Sequence, residues 1–204
     1  MDNPLRSPRT GKTLRKVATR TLTPMTDVGE KVVTVKREFI EVIIGDTRLP
    51  GSGEQWGHAA IMIDGTVYLR AHDEYLVMSK TVYMNGGKLE KALKILSIRG
   101  QSYRDSVGLV LWLSAKEKQM LDVELKRRVA LDRQLILQSN GTRSSYSILD
   151  NSCSTNVADV LELIGILAHD PRWPPTPVTP AELLAALEKS RRLVRKNFYP
   201  RKPS

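Results

Sequence analysis

Three observations point this chain to an α+β domain with an antiparallel sheet. Short β-branched and apolar segments crowd its first half. An Asp-Gly pair sits between two of them, the strongest short-range hairpin signal. Helix-start signatures recur only after residue 113.

Val32 to Ile44 is rich in β-branched residues and partly alternating, so it reads as a strand or a pair of strands. Asp46 to Gly53 is a turn-rich loop around Pro50-Gly51-Ser52-Gly53. The stretch EQWGHAAIMIDGTVY then gives a hairpin: Ala59 to Ile63, a break at Asp64-Gly65, and resumption at Thr66-Val67-Tyr68-Leu69. His58 stands at its mouth. Asn85-Gly86-Gly87 marks a loop, and Lys88 to Leu96 fits either a helix turn or an edge strand. Val107 to Leu113 suits a buried strand.

Ser114-Ala115-Lys116-Glu117 is a capping box, in which the Ser hydroxyl accepts from the backbone three residues on and the Glu reaches back. It predicts a helix from Ala115 to about Leu131, with Met120, Leu121, Val123, Leu125 and Val129 as apolar positions. Tyr146 to Leu149 reads as a short extended segment. A helix starts at Ser152, with Val157, Val160, Leu161 and Ile164 on one face and Gly165 at its end. After the Pro-rich link Pro171 to Pro177, Thr179-Pro180-Ala181-Glu182 opens a helix expected to run to about Leu193. Residues 1–30 mix Pro, Ser, Thr, Gly and basic residues without apolar periodicity and read as a mobile segment. Residues 31–195 form the domain, and 196–204 read as a basic tail.

The chain has 204 residues, 41% of them hydrophobic, enough for one domain with a core. Its formal net charge is +10, concentrated near the two ends. Such ends attract polyanions such as anionic membrane, cell-wall polymer or nucleic acid, or simply keep the chain solvated. No aromatic interleaving accompanies them, so nucleic acid is the weaker partner. No apolar run approaches the ~20 residues of a membrane helix, and the N-terminus lacks the apolar core of a signal peptide. A cytoplasmic chain is expected, exported, if at all, by a signal-independent route.

One cysteine, Cys153, excludes an intramolecular disulfide, and His58, His72 and His169 show no metal-ligand spacing, so neither metal nor cofactor is expected. Cys153 sits at a helix start among Asn151, Ser152, Ser154 and Thr155. A lone Cys is commonly a small buried hydrophobe. A helix N-terminus, however, presents unsatisfied N–H groups and partial positive charge, which depress a thiol's pKa and can hold an oxyanion. A nucleophilic thiol needs a base, and His58, followed by the small Ala59 and Ala60, is the best placed histidine.

Gly57-His58-Ala59-Ala60-Ile61 on a hairpin, followed much later by YSILDNSCST (146–155) opening a helix, resembles the circularly permuted papain-like cysteine hydrolases, including NlpC-related and lecithin:retinol acyltransferase-like enzymes. The resemblance implies an antiparallel sheet or half-barrel packed against a Cys-bearing helix and two further helices. It implies Cys153 as nucleophile, His58 as general base, and a third polar residue on the following strand. A two-residue turn at Asp64-Gly65 would put Val67, Leu69, Ala71 and Asp73 on the face of His58, and a three-residue loop Tyr68, Arg70 and His72. The acyltransferase-like members favour His72, with Asp73 the alternative.

The function so implied is cleavage of an amide or ester through an acyl-enzyme on Cys153. A bacterial effector acting on peptidoglycan peptides or phospholipid, restrained by an immunity protein, is one form of it. The alternative is a non-enzymatic basic binding module for nucleic acid or another polyanion, with a structural Cys153.

Overall fold

Strand β1 (Glu38–Gly45) is the axis of the sheet. Its odd and even positions both carry buried side chains, because the sheet is covered on both faces. The computed structural model describes residues 13, 36–46, 57–140, 152–169 and 177–202. The N-terminal segment 1–30 apart from Thr13, residues 32–35, the loop 47–53, the extended segment 146–149 and most of the Pro-rich link lie outside the described residues.

The hairpin forms as expected. β2 (His58–Ile63) and β3 (Thr66–Arg70) pair antiparallel, with Ile63 opposite Thr66. Asp64 and Gly65 take φ of 48° and 78°, the left-handed pair of a type I′ turn, whose twist matches that of the strands. β4 (Tyr75–Ser79) follows on the outside of β3. A short helix α1 (Lys80–Asn85) comes next, with Ser79 as its N-cap. Neither has a counterpart in the sequence reading. The ambiguous stretch after Asn85 is a separate hairpin of β5 (Gly87–Glu90) and β6 (Ile95–Ile98).

β7 (Ser106–Leu113) pairs with the other side of β1, and the Ser114–Glu117 capping box starts α2 (Ala115–Gln138). That helix runs seven residues past the expected end at Leu131. Its extension is made of good helix formers, and the chain breaks only at Asn140 with φ 48°. Leu121, Leu125 and Val129 are buried as expected, whereas Val123 faces solvent. α3 (Cys153–Glu162) and α4 (Pro180–Glu188) complete the helices. α4 stops short of Leu193, and β8 (Leu193–Tyr199) pairs antiparallel with β7. The basic tail from residue 196 is therefore corrected: its first part is an edge strand. The open edge of β7 supplies backbone partners that outweigh local helix preference.

The sheet order is β4-β3-β2-β1-β7-β8, antiparallel throughout. One face carries Val42, Ala59, Ile61 and Leu111 against α2, α3 and α4. The other carries Ile43, Ala60, Val67 and Leu76 against Tyr83 of α1 and Leu89 of β5. On this second face lies a buried polar knot. Glu41 accepts from the Tyr199 hydroxyl at 2.6 Å and from Asn197 at 2.8 Å, and Lys80 stands 3.6 Å away. Its carboxylate lies over Gly108, where an added Cβ would meet Oε1 at 1.8 Å. The knot fastens β8 and α1 to the sheet centre. No helix among the described residues is long and apolar enough to cross a membrane.

Candidate active site

The start of α3 is both polar and buried. Ser152, Cys153, Ser154, Thr155 and Asn156 are all shielded from solvent. Burial of such groups is tolerated only if each finds a partner. Ser152 caps the helix, its hydroxyl accepting from the Thr155 N–H at 3.2 Å. Ser154 donates to the Val178 carbonyl, and the Thr155 hydroxyl accepts from the Val178 N–H, which ties α3 to the approach of α4. Asn156 donates to the Ser152 carbonyl and accepts from Arg128 of α2 at 3.0 Å.

Arg128 is in turn held by Glu124, at 3.0 Å, and Glu124 also pairs with Arg127 at 2.8 Å. The hydrogen bonds from Arg127 and then Arg128 hold the Glu124 carboxyl at about 2, against the opposing effect of burial. Its folded-state pKa is depressed, so its stabilisation is full above the ordinary carboxylate range and is lost as pH falls toward 2. Glu124→Gln is expected to cost about 2 kcal/mol at pH 7 and to flatten the acid limb of stability, read from urea midpoints at pH 7 and pH 3.

The thiol lies where the sheet opens. β1 follows β2 down to the pair Gly45–His58, but β3 pairs with β2 only as far as Ile61–Tyr68. In the parted end the Ala59 N–H donates to the sulfur of Cys153. The backbone N–H groups of Cys153 and Ser154 and the Ser154 hydroxyl also favour the thiolate. Burial opposes all four and prevails, pushing the Cys153 thiol above its ordinary pKa. The expected depression is thereby corrected: the helix start supplies donors, but the surrounding core strips solvent from the sulfur.

Cys153 is thus brought against Ala59 on the helix-covered face of the sheet, and not to the imidazole of His58. The imidazole itself stacks on Tyr83, ring centroids 6.2 Å apart and planes inclined by 29°. Strand alternation sets this direction: Ala59 packs with Cys153, while Ala60 packs with Tyr83 on the other face, the side that His58 shares. Gly57, at φ 75°, turns the chain into β2 immediately before the histidine. Across the pair, Gly45 leaves room for the buried Arg104, whose Cδ would lie 2.8 Å from an added Cβ. Arg104 therefore packs against Gly45, the cross-strand partner of His58, with its guanidinium over the Tyr103 ring.

The third residue needs correction. The hairpin has two loop residues, so Ala71, not His72, falls opposite His58 when the register is extended. His72 is exposed and lies past the end of β3. Asp73 is of the right parity but pairs with Lys91. The third histidine, His169, is buried against Glu162 at 2.6 Å. Glu162 closes the far end of α3, roughly 13 Å along the helix from Cys153. Tyr83 and Arg104 were not found from the sequence. Both follow the hairpin in segments without a local functional signal, and only the fold carries Tyr83 to His58 and Arg104 to Gly45.

On the thiol's face of the sheet, one strand away, is a groove of about 420 Å³ between α4 and the ends of β1, β7 and β8. Comparison with known proteins finds no matching family model, no matching curated protein and no matching solved structure. The chain is defined by its own architecture: an α+β protein whose antiparallel sheet receives a helix-initial thiol at a parted strand end.

Proposed function

We propose that this protein is a cysteine hydrolase or acyltransferase of permuted papain-like type, with Cys153 as nucleophile and His58 as general base and acid. One observation carries the reading: α3 sets its first side chain, among backbone N–H donors, against the end of the strand that His58 opens. The chain order, His strand before Cys helix, and the antiparallel sheet agree with the permuted class. The proposed step requires the His58 ring, at the end of β2, to turn from Tyr83 to the thiol's side; the imidazole then takes the thiol proton as sulfur bonds to the carbonyl carbon. The N–H groups at the start of α3 hold the resulting oxyanion. Collapse of the tetrahedral adduct breaks the amide or ester bond, and His58 gives its proton to the leaving group. Water, or another acceptor, deprotonated by His58 then releases the acyl group. The raised thiol pKa makes this proton transfer necessary, since a resting thiolate is not favoured.

The proposed substrates are peptidoglycan peptides or phospholipid acyl esters, in keeping with an effector toxin held by an immunity protein. Incubating the wild type with purified sacculi and with phospholipid vesicles tests this. Muropeptides or fatty acid should be released, and Cys153→Ala and His58→Ala should release neither. Products that persist in Cys153→Ala would refute the nucleophile assignment.

A second reading, a polyanion-binding module with a structural cysteine, is favoured by the burial of the sulfur. It expects tight, salt-sensitive binding of nucleic acid or anionic vesicles by Cys153→Ala and wild type alike, with no product from either.

A further inference from the structure

We propose that the groove beside the thiol is the substrate cleft, and that it takes a peptide segment bearing a cationic side chain next to an apolar one. This rests on the hydrolase reading for its role, and it selects between the two substrate classes named there.

The location comes first. Ile44, in the groove wall, is the cross-strand partner of Ala59, whose N–H meets the sulfur of Cys153. Neighbouring strands lie about 4.8 Å apart, so the groove wall at Ile44 stands one strand over from the backbone that meets the sulfur. Ile44, Ala59 and Cys153 also share one face of the sheet. At about 420 Å³ the groove falls within the ordinary size of ligand sites, ~300–1,000 Å³.

Its chemistry is divided. Ile44, Val107, Leu184 and Phe198 form an apolar lining, and Phe198 is 66% exposed on the edge strand β8. Together with Ile44, Val107 and Leu184 it gives the groove a continuous apolar wall. Asp46 and Asp105 supply the charged part. They are held as a pair, the Asp46 N–H donating to the Asp105 carbonyl at 2.8 Å. The Asp105 side chain is further fixed by the Arg201 N–H at 2.7 Å. The pair places two carboxylates in one cleft of a chain whose net charge is +10. An ammonium or guanidinium is attracted there, and a lipid phosphate is repelled. The apolar lining takes the neighbouring side chain, and the orientation of the peptide follows from these two demands together.

The test uses full-length Cys153→Ala, which binds without turnover. Its affinity for fluorescein-labelled acetyl-Leu-Lys-Leu-amide is compared with that for the Glu analogue and for phosphatidylglycerol vesicles. The Lys peptide should bind at least tenfold more tightly than the Glu peptide. Asp46→Asn with Asp105→Asn should bring the two peptides within about twofold, and Phe198→Ala should weaken both. The single Asp variants, checked for native melting, keep the result readable if the double variant is unstable. Equal affinity for the two peptides, preference for Glu or for vesicles, selectivity that survives the Asn substitutions, or no peptide binding would each overturn the proposal. Because binding is read without the thiol, its failure would leave the assignment of Cys153 standing. Loss of that assignment would likewise leave the binding result intact.

Discussion

Cys153→Ala and Cys153→Ser are each expected to lower turnover by about 10³-fold or more, because acyl transfer through a covalent intermediate has no second nucleophile to fall back on. Serine is the sharper test. Its hydroxyl keeps the shape of the site, but it is a far weaker acid than the thiol, and His58 must then remove a more tightly held proton. The wild-type thiol itself should behave unlike that of an activated protease. Burial holds it protonated, so alkylation by iodoacetamide is expected to be slow at pH 7 and to rise only above the ordinary thiol value of 9.0. The same shift fixes a stability trend. A folded-state pKa raised above the unfolded one gives stabilisation that is full below pH 9.0 and declines as pH climbs through the folded value. Melting temperatures between pH 7 and 11 should therefore fall more steeply for the wild type than for Cys153→Ala. Rapid alkylation at neutral pH would contradict the burial argument. Unchanged turnover in the alanine variant would end the enzyme reading.

Gly108→Ala is expected to destabilise the protein by about 3–5 kcal/mol, the sum of overpacking and of disturbing a buried hydrogen-bonded charge. The new Cβ would stand 1.8 Å from Glu41 Oε1, 2.7 Å from its Cδ and 3.0 Å from the Tyr199 ring. The carboxylate cannot simply swing away. Tyr199 and Asn197 hold it at 2.6 and 2.8 Å, and both sit on β8, paired with β7 beside Gly108. Removing the carboxylate should relieve the clash, so Glu41→Ala with Gly108→Ala should be less destabilised than the two single costs added together, by at least about 1 kcal/mol. Urea denaturation of the four proteins gives that coupling directly. A Gly108→Ala protein within about 0.5 kcal/mol of wild type would show that the knot does not anchor β8. The consequence reaches the groove, because β8 also carries Phe198.

The hairpin, the capped start of α2 and the placement of Cys153 at the head of α3 were legible because each is written in a few adjacent residues. Asp64-Gly65 adopts positive φ cheaply, Ser114 and Glu117 satisfy one another's backbone, and Ser152 stops the helix one residue before the thiol. His72 was misjudged because the choice hung on a single loop residue, and strand faces reverse with each residue of register.

By itself, then, the sequence determined the local frame: the turns, the helix starts, and a cysteine and a histidine each standing first in its element. Tertiary structure alone decided the environment of those two groups. Residues 193–199 became strand because β7 offered an unpaired edge, and the sulfur lost its solvent because helices from distant parts of the chain closed over it. Tyr83 came to His58, Arg104 to Gly45, and Asp46 and Asp105 to one groove, by the same route. Backbone propensity and capping act over a few residues, whereas burial and charge environment are set by whatever the folded chain brings within reach.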